Sequence, residues 1–442
     1  MVVGTAPRVA DVLDVTSSED YARYGHPWAS FDLLRRQAPV FWYERPGFEP
    51  FWAITRHDDI TMISKSPEIF SSAQRIRIED VDAVDAENDF REARSKQTGC
   101  SFGAPMNMMS MDPPVHRSVR RVASQHFTPR AVARHGSVFR ALAERYAEDL
   151  LRTLVDADGQ PRNFVREFAQ RLPLFAICSL AGVPEADWPR VLHWIGARVD
   201  PAERAYAIGD LQPEEVRQVN LREFDEYFLD LVASRRREPR DDLITELVSG
   251  QINGEQLSDR ELLDYLLFLI SAGNETTRSA TTMGVEALLQ NPDQLNRFLE
   301  GPAELSASMV DEIIRWSSVF IHFKRTCLEK VEIRGREILP GETVAMFYPS
   351  ANRDEDVFAD PYTFDITRAP NPHLGFGRGE HHCLGVNLAR AEMRALFEAL
   401  APILPSLELA GPLERVPNRL DVLMARDLPV RLRQSAGRGL DA

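Results

Sequence analysis

Phe376-Gly-Arg-Gly-Glu-His-His-Cys-Leu-Gly385 is the stretch from which the rest of the chain is read. Three glycines surround one cysteine, and a helical apolar pattern begins at the cysteine and runs to about Leu400. A thiolate at Cys383 would sit at a helix N-terminus, where unpaired N–H groups and aligned peptide dipoles stabilise negative charge. Gly377 and Gly379 permit a tight turn that aims backbone N–H groups at sulfur. Gly385 leaves room for a large planar group against the helix, and Phe376 can shield the sulfur from water. Other readings compete. A dinucleotide loop needs G-x-G-x-x-G between a strand and a helix, and Gly375-Phe-Gly-Arg-Gly379 has neither the spacing nor the setting. His381, His382 and Cys383 are too nearly adjacent to converge on one tetrahedral zinc. An inert cysteine in a glycine-rich turn stays open on this stretch alone.

Working outward, 442 residues are a soft prior for two or three domains. A chain 27% charged and 44% hydrophobic fits an ordinary globular protein and argues against disorder. Its formal charge of −15 weighs against sequence-independent nucleic-acid binding, which needs a basic footprint. Cys100, Cys178, Cys327 and Cys383 are too few and too scattered for a secreted disulfide scaffold, so a cytoplasmic protein is expected. No signal peptide is apparent at Met1–Arg8. The most apolar stretch, Leu262–Gly273, is interrupted by Asp264 and falls short of the ~20 residues that a membrane span needs. The acidic run within Arg75–Gly99 reads as a long surface loop with some helix, not a domain boundary.

The residues from about 35 to 60 read as strands. Pro39-Val-Phe-Trp-Tyr and Pro50-Phe-Trp-Ala-Ile-Thr are aromatic and β-branched, with Gly47 between them. From about 113 to 317 the pattern is mostly helical, as in Ser137–Val155 and Pro213–Arg235. Strands return at Val331-Glu-Ile and Thr343-Val-Ala-Met-Phe. The expectation is a mainly α protein with a minor β-sheet built from residues far apart in sequence, which favours one interleaved domain over two.

Three further stretches carry chemistry. A helix is expected from Ser258 to Leu289, with Ser258-Asp-Arg-Glu261 as a capping box and Pro292 as a stop. Inside it, Ala272-Gly-Asn-Glu-Thr-Thr277 should weaken the helix locally and free backbone groups. A polar patch at a solvent face is the plain alternative. Glu312 and Arg315 share a helix face at i, i+3 spacing, a common accident in any helix. Asp112-Pro-Pro-Val-His-Arg-Ser-Val-Arg120 sets His116 and Arg120 one turn apart at a helix start, with prolines fitting the first turn; alone it reads as a solvated basic face.

Taken together and in this order, these stretches resemble the cytochrome P-450 family from about Phe31 to Leu409. The cysteine loop matches its F-G-x-G-x-H-x-C-x-G pattern at Phe376, Gly377, Gly379, His381, Cys383 and Gly385. Ala272–Thr276 is similar to A/G-G-x-D/E-T, Glu312–Arg315 to E-x-x-R, and Asp112–Arg120 to D-P-P-x-H-x-x-x-R.

The resemblance implies a single-domain cytochrome P-450 fold and haem b (iron protoporphyrin IX) with the Cys383 thiolate as axial ligand. It places His116, Arg120, Arg325 and His381 at the haem propionates, Thr276 at bound dioxygen, and Glu275 in a proton relay. A second arginine, Arg368 or Arg353, would complete the Glu312–Arg315 network. The implied reaction inserts one oxygen atom of O₂ into a C–H bond. Electrons would come from a separate ferredoxin with its NAD(P)H-dependent reductase, docking at Arg117, Arg121, Arg130 and Arg134. Substrate walls are expected within 70–111, 187–219 and 319–323, with Met106, Met108, Met109 and Met111 as adaptable packing. The wording around Thr276, Arg325 and Ser350-Ala-Asn-Arg-Asp354 is most like hydroxylases of steroid side chains and methyl-branched lipids. The implied protein is a monomer acting on an apolar small molecule, with no membrane and no nucleic-acid partner. A terpene hydroxylase, a haem-thiolate peroxygenase and a ligand-binding protein are the alternatives.

Overall fold

The computed structural model describes residues 14–73, 76–79, 107–203, 206–252, 254–417 and 419–433. The acidic run and Met106 lie outside them. Among the described helices are α1 (His57–Lys65), α2 (Val115–Ser124), α3 (Gly136–Asp156), α4 (Arg171–Ala181), α5 (Trp188–Val199), α6 (Pro213–Arg237), α7 (Asp259–Gln290), α8 (Pro302–Ser317) and α9 (Val386–Leu400). The five strands of the main sheet are β1 (Val40–Tyr43), β2 (Phe51–Ile54), β3 (Phe70–Ser71), β4 (His322–Cys327) and β5 (Thr343–Phe347).

Helix α7 is the axis of the molecule, with α4, α8 and α9 packed against it. It starts where its capping box says it should. Ser258 N donates to Glu261 Oε2 at 2.8 Å, and Glu261 N donates to Ser258 Oγ at 3.3 Å. The expected weakening at residues 272–277 does not occur, and α7 runs unbroken for 32 residues. Its hydroxyls fold back onto its own carbonyls instead: Thr276 onto Ala272 (3.0 Å), Ser279 onto Glu275 (2.8 Å) and Thr282 onto Arg278 (2.9 Å). Such back-bonding satisfies the side chain without breaking the backbone ladder.

The sheet runs β1-β2-β5-β4-β3. β1 pairs antiparallel with β2 (Val40 opposite Ile54), and β2 pairs parallel with β5 (Trp52 opposite Val344). β5 pairs antiparallel with β4, and β4 with β3. Parallel strands need a long crossover, and here nearly all of the helical region supplies it. One apolar cluster reaches from Val15 to Val430, so both ends of the chain share a core. The fold is therefore mainly α, with small sheets, in a single domain.

Glu312 and Arg315 on α8 are fully buried and pair through two contacts, at 2.7 and 2.8 Å. Arg368 completes the network, with Nε 3.2 Å from Glu312 Oε2. Arg353 does not bond Glu312. It donates to the carbonyls of Arg315 and Trp316 at 3.1 and 2.9 Å, and its guanidinium lies 4.7 Å from the Trp28 ring and 4.5 Å from that of Trp316. Buried charges need such partners, and this cluster fixes the chain segment that leads into the cysteine loop.

Candidate active site

The loop before α9 is shaped by backbone constraint. Gly377 and Gly379 both have φ of +67°, where a Cβ is unfavourable. A Cβ on Gly379 would also overlap the Ser64 carbonyl at the end of α1, so the loop lies directly on that helix. Cys383 N donates to Phe376 O at 2.9 Å and closes the turn. Helix α9 begins at Val386, not at the cysteine, and Gly385 is the residue flanking its start. The sulfur is thus held by a turn just ahead of the helix. Burial pushes the Cys383 thiol up, while the Gly385 amide and the charges of Arg120 and Arg390 pull it down. Phe376 is braced by Arg390, whose guanidinium stands 5.1 Å from the ring centre and whose Nε donates to Asp311 at 2.8 Å.

Cys383 opens into a cavity of about 1540 Å³, counting the space at its mouth. Its far wall is the face of α7 carrying Ala272, Gly273, Thr276, Thr277 and Ala280.

Four basic side chains gather at one end. Arg120 donates to the His382 carbonyl at 2.7 Å and makes no ion pair among the described residues. Arg325 is 6% exposed; its one hydrogen bond among the described residues is a 2.7 Å donation to the Lys324 carbonyl. Burial pulls both guanidinium groups below their ordinary values. His116 is 1% exposed, and neither ring nitrogen has a hydrogen-bond partner. Its ring lies 4.2 Å from that of His381. Burial, followed by the Arg120 charge, holds His116 down to about 4. His381 differs, because Nε2 is 3.0 Å from Ser72 Oγ and the ring also meets the Met111 carbonyl. Buried cations and imidazoles left this short of partners are what an anionic group would satisfy. The donor set therefore fits a planar cofactor that carries carboxylates and is ligated by sulfur. Among the described residues no three of His, Cys, Asp and Glu converge as they would around a metal held by protein ligands alone.

Glu275 does not line this cavity. It is buried on another face of α7, ion-paired with Arg278, and accepts from Asn274 Nδ2 at 2.8 Å. Burial raises its carboxyl, against the pull of Arg278, Arg419 and Arg198. Consecutive helix positions point about 100° apart, so Glu275 and Thr276 cannot share a face. The outer walls are apolar. Met108 and Met109 line them, as do Val319, Phe320 and Phe323, the last two with rings 4.9 Å apart. No described residue of 187–219 takes part, and Ile177 of α4 and Phe268 of α7 stand there instead.

A methyl-branched lipid omega-hydroxylase of Mycobacterium tuberculosis is 38% identical over 422 residues, spanning 92% of each chain. The chain belongs to the cytochrome P-450 family. A family profile described as cytochrome P-450 matches residues 304–421. A steroid C26-monooxygenase of the same organism is 35% identical, over 93% of this chain and 90% of that one. Among solved structures, a Mycobacterium marinum cytochrome P-450 in complex with pseudoionone superposes with a TM-score of 0.81, at 32% identity, over 97% of this chain and all of that one. This P-450 is thus an oxidoreductase of the monooxygenase class, from a family whose haem iron is held by a cysteine thiolate. No described helix is long and apolar enough to cross a membrane.

Sequence reasoning passed over two residues of this P-450's site, Ser72, which meets His381, and Glu392, which lines the cavity. Ser72 follows a two-residue strand and has no motif around it. Its loop is tied down by Asp112, which accepts from Ser72 N at 2.7 Å and from Ser71 Oγ. Glu392, two turns into α9, is 1% exposed and lines the cavity, with Oε1 unpartnered. Burial without a counter-charge raises its carboxyl well above the usual range. An isolated acid at an apolar helix position is the signal that would have found it.

Proposed function

We propose that this P-450 binds haem b through the Cys383 thiolate and hydroxylates a sizeable apolar substrate, a methyl-branched lipid or a steroid side chain. The observation that carries this is the cavity itself. Cys383 stands on one wall and Thr276 on the other, with Arg120, Arg325 and His116, whose ring nitrogens have no hydrogen-bond partner, at one end. When bound, haem supplies the activation of O₂ for insertion into a C–H bond.

The chain's own residues do the rest. Arg120 and Arg325 would neutralise the cofactor's carboxylates, and His116, an uncharged imidazole, would donate a hydrogen bond to one of them. His381 supports them by holding the Ser72 loop in place. Phe376 and Gly385 bound the sulfur, the first excluding water and the second offering its amide. Thr276 lines the cavity opposite Cys383, and Glu275, on the adjoining face of α7, supplies protons toward it through intervening water and not by direct contact, a type of contribution worth ~10²–10⁴-fold in rate. Met108, Met109, Phe320 and Phe323 surround the substrate with carbon and sulfur, and its reacting end is accordingly apolar. The two named relatives are a methyl-branched lipid hydroxylase and a steroid monooxygenase, which supports that choice.

Arg117, Arg121, Arg130 and Arg134 are all exposed, and Arg117 is ion-paired with Glu380 of the cysteine loop. We read the four as a basic docking face suited to an acidic ferredoxin, a reading supported by their exposure and by the contact of Arg117 with the cysteine loop. The deciding experiment is the absorption spectrum of the reduced, CO-bound protein, followed by titration with branched fatty acids, cholestenone-type steroids and monoterpenes. Thiolate ligation and a low- to high-spin shift with lipid or steroid are expected. A nitrogen-ligated spectrum overturns the Cys383 assignment, and a shift with monoterpenes alone overturns the substrate choice.

A further inference from the structure

A cluster of arginines lies outside the main cavity, against the chain segment that builds its apolar wall. Arg77 Nε is 3.0 Å from Asp421 Oδ2 and Arg419 Nε is 3.2 Å from Asp421 Oδ1, so two guanidinium groups share one carboxylate. Arg198, at the end of α5, makes no hydrogen bond or ion pair among the described residues. Its side chain reaches solvent, yet crowding by protein, followed by the charges of Arg77, Arg419 and Arg217, pulls it down to about 10. Contact with water combined with crowding describes a side chain that lines a recess. The neighbouring acids are engaged elsewhere. Arg217 pairs with Glu214, and Glu275, which pulls Arg198 the other way, is held by Arg278. Three guanidinium groups are left with one carboxylate, in a chain whose formal charge is −15. An oxyanion satisfies a local excess of this kind, and the planar fork of arginine suits a carboxylate or a phosphate.

The recess is fixed beside apolar surface. Lys324 N donates to Ile76 O, and Ile78 N donates to His322 Nε2, both at 2.8 Å, so Arg77 is pinned to β4 on either side. Ile321 N donates to Asp421 O at 2.8 Å, and Val422 bridges to Phe320. Val319, Phe320 and Phe323 of the same stretch line the main cavity. A ligand that meets both surfaces needs an apolar body and one anionic end. We propose that Arg77, Arg198 and Arg419 form an oxyanion subsite for the polar end of the substrate, whose apolar end reaches Cys383. The inference rests on the lipid reading above and narrows it to lipids that carry an acidic end. The oxyanion is either the free carboxylate of a branched fatty acid or a phosphate of its thioester. Arg198, the unpaired member, contributes most, because a bound oxyanion gives its donors partners and offsets the repulsion around it. No bond is made or broken at this subsite.

The test measures affinity on haem-loaded enzyme, by spin-state titration and by calorimetry. The probes are a terminally methyl-branched hexadecanoic acid, its methyl ester and its coenzyme A thioester. The free acid should bind on the order of tenfold more tightly than the ester. Arg198→Gln should erase that difference, weakening the acid and leaving the ester unchanged, and Arg198→Lys should restore part of it. The melting temperature of ligand-free Arg198→Gln should hold or rise, because an unpaired cation leaves a group of like charges. A lower melting temperature with equal losses for acid and ester marks a structural residue and overturns the subsite. A preference for the thioester over the acid, lost in Arg198→Gln, supports the subsite and assigns its anion to phosphate. An acid preference that survives in Arg198→Gln and Arg419→Gln alike puts the anion elsewhere and overturns the proposal. Equal binding of acid, ester and thioester by the wild type overturns the subsite alone and leaves the lipid reading standing. If none of the three binds, the fatty-lipid reading falls and the subsite with it.

Discussion

The two walls of the main cavity are built by opposite means. On the cysteine side, a loop without regular structure is locked by two left-handed glycines, by close approach to α1, and by Arg120 on the His382 carbonyl. On the far side, α7 is an uninterrupted helix whose backbone would be the same with almost any side chains on it. The first wall sets the position of one atom and has little freedom to vary. The second offers a face whose residues can change one at a time without disturbing their neighbours. One wall defines the chemistry, and the other adapts it.

The largest effect should come from the sulfur. Cys383→Ala should abolish the thiolate signature of the reduced CO complex and bring product formation to background; a surviving signature would mean that another residue ligates the iron. Next come the glycines, where the walls should respond with opposite signs. Gly379→Ala forces a Cβ into the Ser64 carbonyl at positive φ and should cost about 3 kcal/mol or more. Gly273→Ala on α7 meets nothing nearer than Ile177 at 3.9 Å and should stabilise by about 0.5–1 kcal/mol. Urea unfolding of both variants measures the contrast, and equal losses would break it. Thr276→Ala should leave folding unchanged while coupling of reductant to product falls on the order of tenfold or more, read as peroxide released.

The last test concerns a group on neither wall. His322 on β4 is fully buried, its Nε2 accepts from Ile78 N at 2.8 Å, and burial holds it down to about 3. Its folded value lies below the unfolded ~6.5, so its contribution is complete above pH 6.5. It is lost as pH falls toward about 3, at up to about 1.4 kcal/mol per pH unit, because only the unfolded chain takes the proton. His322→Gln, measured by urea unfolding at pH 7, 6 and 5, should flatten the acid limb by about that slope.

The same contrast explains what was legible in the residues alone. Three glycines around Cys383, the capping box at Ser258 and the paired Glu312 and Arg315 each impose a local geometry, and the structure reproduces all three. What the residues left open or placed elsewhere depended on direction or distance. The start of α9 moved three residues because Leu384 and Gly385 complete the turn. Glu275 faces away from the cavity because neighbours on a helix diverge, which its position beside Thr276 conceals. The choice of Arg368 over Arg353 follows from where a meander places two similar side chains. The segment 187–219 gave way to Ile177 because helix patterning shows that a face is apolar, not which cavity it borders. Ser72 and Glu392 had no motif to announce them.

The parallel pairing of β2 with β5 carries a consequence for biosynthesis. Trp52 Nε1 donates to Glu342 at 2.8 Å across 290 residues of chain. A ribosome adding ~5–20 residues per second takes roughly 15–60 s to make that span. For that interval the β2 edge of the β1–β2 hairpin, with Val40, Phe51 and Ile54 destined for the interior, waits for the strand that will cover it. The nascent chain therefore spends much of its synthesis as a sticky, half-closed sheet. Its yield in a foreign host should depend on chaperone supply and on slow elongation as strongly as on haem supply.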